Sequence, residues 1–227
     1  MVELLIVIGI IAILMSLTFS VMYNLTAQAE SEATATTIRK IDAILQQRME
    51  AFNRAFKGNR AAAAASIVQV KLAQQNIFGV RDEVIEILAK KRSFRFEFPQ
   101  RMAERYVEEH ASTSSLVPGM ADSVFKAIAA PYARDQLIAE GNPTPTDAAV
   151  LSRVTSNWAK HKDSTESAEL LYFALTAATS YGVGAADNDR FTEREVADTD
   201  EDGLPGFIDA WGQPLRFYRW QIRRAHV

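Results

Sequence analysis

The chain has 227 residues, of which 48% are apolar and 23% charged, and its net charge is −3. It has no cysteine, which excludes disulfides, thiol nucleophiles and cysteine-rich metal sites. The small negative charge gives no general reason to expect a nucleic acid or an anionic lipid as partner. Even without its first thirty residues, the chain is long enough for one domain with a substantial core.

The chain opens on an uncharged stretch. Residues 4–29 contain no charged side chain, and residues 4–22 are nearly all apolar. As a helix, this run of 19 residues is about 28 Å long, which matches a bilayer core of roughly 30 Å. We therefore predict that residues 1–24 are a transmembrane segment. The alternative is a cleaved secretory signal with a mature N-terminus at Glu30, although signals have shorter apolar regions behind a basic start.

The helical pattern continues past the apolar run. Apolar residues recur at three- and four-residue steps, and no Gly or Pro interrupts residues 10–57. The sequence predicts one helix of about fifty residues that ends at Gly58, with residues 25–57 as an amphipathic half packed on a globular domain. The stripe consists of Ile38, Ile41, Leu45, Met49, Phe52 and Phe56.

Residues 58–185 are predicted to be a helical insert. Gly79 indicates a break between two helices, and prolines such as Pro131 are predicted to divide the later part into short helices. Ser164 or Thr165 is predicted to cap a further helix.

Within the insert, residues 93–98 alternate between apolar and polar, which predicts a short strand. Basic and aromatic residues are interleaved from Lys90 to Arg105. This pattern occurs on nucleic-acid surfaces, but it is more typical of a solvated face whose aromatic residues point into the core. We expect no nucleic-acid partner.

Catalytic patterns are sparse. None of the three histidines has the spacing of a helical metal site such as H-E-x-x-H. Ser123 and Lys126 match the S-x-x-K pattern of acyl-transfer enzymes, but the companion motifs are absent. We therefore expect no enzyme, and a membrane-tethered hydrolase that uses this pair is an alternative that a covalent serine probe would test.

An acidic loop near the C-terminus is the densest site signal. Acidic residues alternate and are followed by Gly203, as in the loops where carboxylates converge on calcium. The sequence predicts calcium on a scaffold other than the EF-hand, with residues 187–189 near enough to add an oxygen. The alternative is a solvated acidic turn that caps a helix over residues 204–210. The predicted ligands are Asp198, Asp200, Asp202, Leu204 through its backbone carbonyl, and Asp209.

The N-terminal sequence VELLIVIGIIAIL, residues 2–14, resembles the prepilin N-terminal methylation motif. This motif opens the type IV pilins and the pseudopilins of type II secretion systems. The resemblance implies that Glu3 is the family's glutamate, which pairs with the free terminal amine of a neighbouring subunit. It also implies a basic leader ending in Gly-Phe-Thr upstream of Met1, cut by a prepilin peptidase.

The C-terminal segment FIDAWGQPL, residues 207–215, is similar to the Asp-Pro-Trp-Gly-Asn-Pro-Tyr segment of major pseudopilins. Ala210, Gln213 and Leu215 depart from that pattern. The resemblance implies that calcium organises the acidic loop, that residues 211–212 form a buried turn, and that residues 215–220 are a closing strand. The two matching ends cover about a third of the chain.

Together these patterns predict an α+β fold, in which a long N-terminal helix packs on a mostly helical ectodomain with a small C-terminal antiparallel sheet. The predicted segments are 1–24, 25–57, 58–185 and 186–227. By resemblance, we expect a structural subunit of a type II secretion pseudopilus or a related pilus-like filament. It would be anchored in the inner membrane with a periplasmic C-terminal domain. Its partners would be copies of itself, other pilin-like subunits, the prepilin peptidase and the assembly platform. The alternative is a secreted calcium-binding or adhesive protein.

Overall fold

The computed structural model describes residues 2–104, 120–177 and 183–218. This part of the chain is mostly helical with a small antiparallel sheet, which confirms the α+β class at that level. The α-helices with described bounds are α1 (Val2–Ala55), α2 (Asn59–Gln74), α3 (Asp82–Glu97), α4 (Met120–Ala139), α5 (Asp147–Trp158) and α6 (Glu166–Thr176). A 3-10 turn (Asn188–Arg190) precedes the strands β1 (Val196–Ala197) and β2 (Gly206–Phe207).

Helix α1 is continuous over 54 residues, as its uninterrupted pattern predicts. It ends just before Gly58, which has a φ of 57°, in the left-handed region that glycine adopts most readily. Its two halves differ in their surroundings, because every described side chain from Ile6 to Ala29 is exposed, whereas burial begins at Thr37. Among the residues that the structure describes, no helix has both the length and the apolarity needed to cross a membrane.

Three apolar clusters form the described core, and α6 belongs to two of them. Leu170 packs with α4, α5 and Leu204, whereas Leu171 and Leu175 pack with Ile41 of α1 and with the C-terminal region. A third cluster joins the end of α1 to α2 and α3. Helix α6 therefore packs against other elements on two sides, and these contacts fix the position of the N-terminus of α6.

Polar contacts tie α1 to the rest of the chain, and two groups of them involve the buried side chains Glu195 and Arg48. Glu195 Oε1 accepts hydrogen bonds from Thr37 Oγ1 and Lys40 Nζ, both at 2.8 Å. The guanidinium of Arg48, which is fully buried, donates to the carbonyl oxygens of Ala174, of Leu175 at 2.9 Å and of Gly184 at 3.2 Å. These carbonyls include the last ones of α6, so Arg48 supplies donors that the helix end lacks.

Two predictions within the insert are wrong. Residues 93–98 are not a strand, because α3 continues to Glu97. The alternation arose because Phe94 and Phe98 are four residues apart on one helical face, with ring centroids 5.0 Å apart. Pro131 lies inside α4 and does not divide it, since residues on both sides of it, such as Phe125 and Ala133, are buried in one core cluster.

The sheet is small and antiparallel, with Val196 opposite Phe207 and Ala197 opposite Gly206. Because β2 occupies residues 206–207, the alternative of a helix over 204–210 is wrong. No strand is present over residues 215–218; the Leu215 N–H donates to the Phe207 carbonyl at 2.8 Å, and the last two residues of the predicted closing strand lie outside the described part.

The turn predicted at residues 211–212 is present, but it is not buried. Trp211 is 53% exposed, and Gly212 has a φ of 79°. Both residues lie at the tip of a loop whose base is the bridge between Ile208 and Pro214. The indole therefore projects away from the core.

Candidate metal centre

The loop between β1 and β2 contains three of the four predicted acidic ligands, Asp198, Asp200 and Asp202. The carboxylate of Asp198 accepts the backbone N–H groups of Asp202 at 3.2 Å and Gly203 at 2.8 Å, so it braces the loop from within. Gly203 has a φ of 87°, and a β-carbon there would lie 2.5 Å from Asn157 Nδ2 of α5. Glycine is required at this position because the loop packs directly against α5.

The loop lies over the N-terminus of α6. Asp200 Oδ2 accepts the backbone N–H of Lys162 at 2.9 Å and lies 2.9 Å from Thr165 Oγ1. Thr165 is the N-cap residue of α6, as predicted, but its hydroxyl makes no capping bond within the helix. The negative charge of Asp200 is instead placed near the positive end of the helix dipole, which is a favourable position.

His161 joins the loop to α6. Its Nδ1 lies 2.5 Å from Asp202 Oδ2 and 3.6 Å from Glu169 Oε2, and its Nε2 lies 3.4 Å from Glu166 Oε1. The ring stacks on Trp158, with centroids 5.1 Å apart and planes 15° apart. Stacking fixes the plane of the imidazole and thereby the direction of both nitrogens.

These side chains form a buried group that we call the acidic cluster: His161, Glu166, Glu169, Asp200 and Asp202. Its four carboxylate residues are each no more than 7% exposed, and the histidine side chain is 3% exposed. One imidazolium can balance only one of the four carboxylates. The cluster therefore has the charge distribution of a site that takes up a cation.

The pKa values reflect this excess of negative charge. Burial lowers the pKa of His161, but its hydrogen bonds to Asp202 and Glu166 outweigh burial and raise it to about 10. Burial, together with the charge of Asp202, raises the pKa of Glu169 to about 8. Burial also raises the pKa of Asp198. In the metal-free chain the cluster thus holds the histidine charged, and a metal ion bound at Nδ1 would displace that proton.

Two carboxylate oxygens in the cluster accept no hydrogen bond. Glu169 Oε2 and Asp200 Oδ1 are buried and have no hydrogen bond. A buried acceptor without a partner costs on the order of 1–3 kcal/mol. His161, Glu169, Asp200 and Asp202 each offer one ligand atom, and these atoms lie within 4.8 Å of one another. This geometry fits a divalent cation, but an imidazole nitrogen does not fit calcium, which takes oxygen ligands.

The structure brings some of the predicted ligands together and separates others. Asp198, Asp200 and Asp202 share one loop, and the Leu204 N–H donates to Asp202 Oδ1 at 2.7 Å. Asp209 lies in another turn, where its Oδ1 accepts the N–H groups of residues 211 and 213 at 2.9 and 2.8 Å.

The other predicted site residues lie away from this loop. Asp187 and Asp189 line a surface depression beside Ile44 and Gln47 of α1. Glu3 lies in the first turn of α1, and its side chain is outside the described part, as is that of Ser123.

Sequence reasoning missed His161 and Glu169. His161 stands between two lysines, a context typical of solvent, and it is 41 residues from Asp202. A weak signal was present, because Glu166 and Glu169 follow it at five and eight residues. That spacing matches no established metal-binding pattern, so by itself it does not predict a metal site.

Comparison of the chain with protein-family models, with curated proteins and with solved structures finds no match. A role for the acidic cluster therefore has to be inferred from its own atoms.

Proposed function

We propose that this chain is a structural subunit of a pilin-like filament, of the kind formed by type II secretion pseudopili and related type IV pili. One observation carries the proposal: among the described residues, the rest of the chain covers only the second half of α1. The first half extends about 36 Å as bare helix, counted over the 24 residues from Ile6 to Ala29.

The bare half of α1 is apolar on all sides from Ile6 to Met15, and after that only uncharged polar residues interrupt the apolar sequence. Its large side chains are about half exposed or more, and none lies against another element. A continuous apolar surface of this kind marks an interface in an assembly. The exposed residues are Ile6, Val7, Ile8, Ile10, Ile11, Ile13, Leu14, Met15, Phe19, Met22, Tyr23 and Leu25.

The occupant that we propose is the same half of α1 in neighbouring copies. Helices that are apolar all round are covered on all sides in their final state, and a bundle of identical helices does this in a filament. Before assembly, the inner membrane would cover this half, as the uncharged residues 4–22 suggest. Because residues 2–14 resemble the prepilin N-terminal motif, we also propose prepilin peptidase and the assembly platform as partners.

Glu3 has a specific part in this proposal. It is the one carboxylate within the first 29 residues. A charge among apolar helices is costly unless it is paired, and the free terminal amine of a neighbouring subunit is the partner that we propose. The pair would fix the axial position of each added copy.

The second half of α1 gives the filament a rigid outer domain. Glu195 binds Lys40 and Thr37, and Arg48 binds the end of α6. Force applied to α1 would therefore pass directly into the C-terminal region.

Disulfide cross-linking tests this arrangement, because the chain has no native cysteine. The double variant Val7→Cys and Phe19→Cys places two thiols about 18 Å apart on one helix, so each can bond only to another copy. In a bacterium with a type II secretion system, oxidation should give a ladder of dimers and higher species. Adding Glu3→Gln should reduce its yield.

The control is a second pair on exposed ectodomain loops, Asn142→Cys and Asp163→Cys, which should give no ladder. If the α1 pair stays monomeric, or if both pairs give the same ladder, α1 does not mediate assembly. If Glu3→Gln leaves the yield unchanged, Glu3 does not pair with the neighbouring amine.

A further inference from the structure

The acidic cluster carries an inference that is independent of filament assembly. Its carboxylates come from the loop between β1 and β2 and from α6, and the fold brings both to one buried point beside His161. Glu169 Oε2 and Asp200 Oδ1 have no hydrogen-bond partner although their residues are only 4% and 7% exposed. These two oxygens, together with the excess of negative charge, point to a bound cation.

The remaining atoms of the ligand residues are already fixed by the fold. Asp200 Oδ2 is bound by the Lys162 N–H, so only Oδ1 is left for a ligand. Asp202 Oδ1 is bound by the Leu204 N–H, which leaves Oδ2 directed at the imidazole. Each carboxylate therefore presents one oxygen to the cluster. Sites with such restrained ligands lose little conformational entropy when the ion binds.

His161 is oriented in the same way. Its Nε2 faces Glu166 Oε1 at 3.4 Å, and its ring stacks on Trp158. A carboxylate behind the far nitrogen of an imidazole holds the tautomer in which the near nitrogen binds metal. Glu166 thus takes the part of a positioning residue, and Nδ1 takes the part of the ligand atom.

We propose that His161, Glu169, Asp200 and Asp202 form a binding site for a first-row transition-metal dication such as zinc, and not for the calcium that the loop sequence predicts. One imidazole nitrogen with carboxylate oxygens is a ligand set that zinc accepts, whereas calcium takes oxygen alone. Asp198 braces the loop and Asp209 holds another turn, so neither is a ligand. The ion would join the loop to the start of α6.

Calorimetric titration of the metal-depleted 227-residue chain tests this site, with zinc and calcium chloride as the probes. We expect one equivalent of zinc to bind, and calcium to bind at least tenfold more weakly. Glu169→Gln and His161→Gln should each weaken zinc binding by at least tenfold, because each removes a ligand atom. Zinc should also raise the unfolding temperature of the wild type and not that of the variants.

The control is Glu201→Gln, which removes the same charge from the same loop at a side chain that is 84% exposed. It should bind zinc as the wild type does. Three results would overturn the proposal: no zinc uptake, tighter binding of calcium than of zinc, or zinc binding that Glu169→Gln leaves unchanged. A circular dichroism spectrum equal to that of the wild type shows that each variant is folded.

Discussion

Two buried acidic sites connect the C-terminal region to the rest of the molecule, and they differ in how their charge is balanced. At the first, both oxygens of Glu195 accept hydrogen bonds, from Lys40, Thr37 and Thr192. In the acidic cluster, four carboxylates share one imidazole and two oxygens have no partner. Both sites are buried, but only at Glu195 do all the carboxylate oxygens accept hydrogen bonds.

The pKa values of two glutamates express this difference. Burial raises the pKa of Glu195, but hydrogen bonds from Lys40 and Thr192 outweigh burial and lower it to about 2. Burial and the charge of Asp202 raise the pKa of Glu169 to about 8. Both residues have little exposed surface, at 9% and 4%, but Glu195 receives hydrogen bonds from Lys40 and two threonines, whereas Glu169 receives one from Thr165. A carboxylate whose donors are in place ties the fold together, whereas one without them is prepared for a ligand.

The largest effect is expected for Arg48→Met, which removes a second buried polar contact of α1, besides the one at Glu195. The substitution keeps much of the apolar stem but removes the guanidinium donors to the carbonyls of residues 174, 175 and 184, of which the Leu175 carbonyl keeps a second donor, the Ala186 N–H at 2.7 Å. We expect the free energy of unfolding to fall by about 3 kcal/mol, since several buried acceptors lose a charged partner. Urea denaturation measures this, with the exposed Arg39→Met as control. Equal midpoints for both variants would show that Arg48 contributes little.

A smaller loss is expected for Glu195→Gln, about 2 kcal/mol at neutral pH, because the variant loses hydrogen bonds to a charged group. The folded pKa of Glu195 is about 2 and its ordinary value is 4.5. Its contribution is therefore complete above about pH 4.5 and is lost as the pH falls toward 2. The difference between the wild type and the variant should shrink across that window.

Denaturation at a series of pH values measures this dependence, with Glu193→Gln as control because that side chain is exposed and two residues away. If the difference between wild type and Glu195→Gln stays constant from pH 5 to pH 2, the carboxylate charge is not what stabilises this contact.

The parts of the fold that depend on neighbouring residues could be predicted from the sequence. The length of α1 followed from a pattern without Gly or Pro, and the structure ends the helix at Ala55, close to Gly58. The alternating aspartates of the acidic loop also share one turn, because residues so close in sequence have little freedom to separate. Local patterns failed where two periods fit the same residues, as at residues 93–98, and where one residue was taken as a break, as at Pro131.

The acidic cluster could be predicted only in part, because it depends on contacts between distant segments. The loop folds back on α6 through the strand pair and through Gly203, whose close approach to Asn157 has no sequence signature. His161 meets Asp202 by this route. The sequence of the loop alone, with its alternating aspartates, is typical of a calcium site. In the fold, His161 and Glu169 lie beside Asp200 and Asp202, so the group of side chains differs from the one that the loop sequence predicts.

The smallest expected effect is a stabilisation, by Glu169→Gln, and it tests the difference between the two acidic sites most directly. In the metal-free chain, Glu169→Gln should raise the free energy of unfolding by about 1 kcal/mol, because folding must either bury the Glu169 charge or protonate it at a raised pKa, and glutamine avoids both costs. With zinc present, the wild type should become the more stable of the two, since only the wild type retains all four ligands. Thermal denaturation with a chelator and then with excess zinc measures both states. If Glu169→Gln destabilises the metal-free chain as Glu195→Gln does, then the fold itself satisfies Glu169, and the two acidic sites are of one kind.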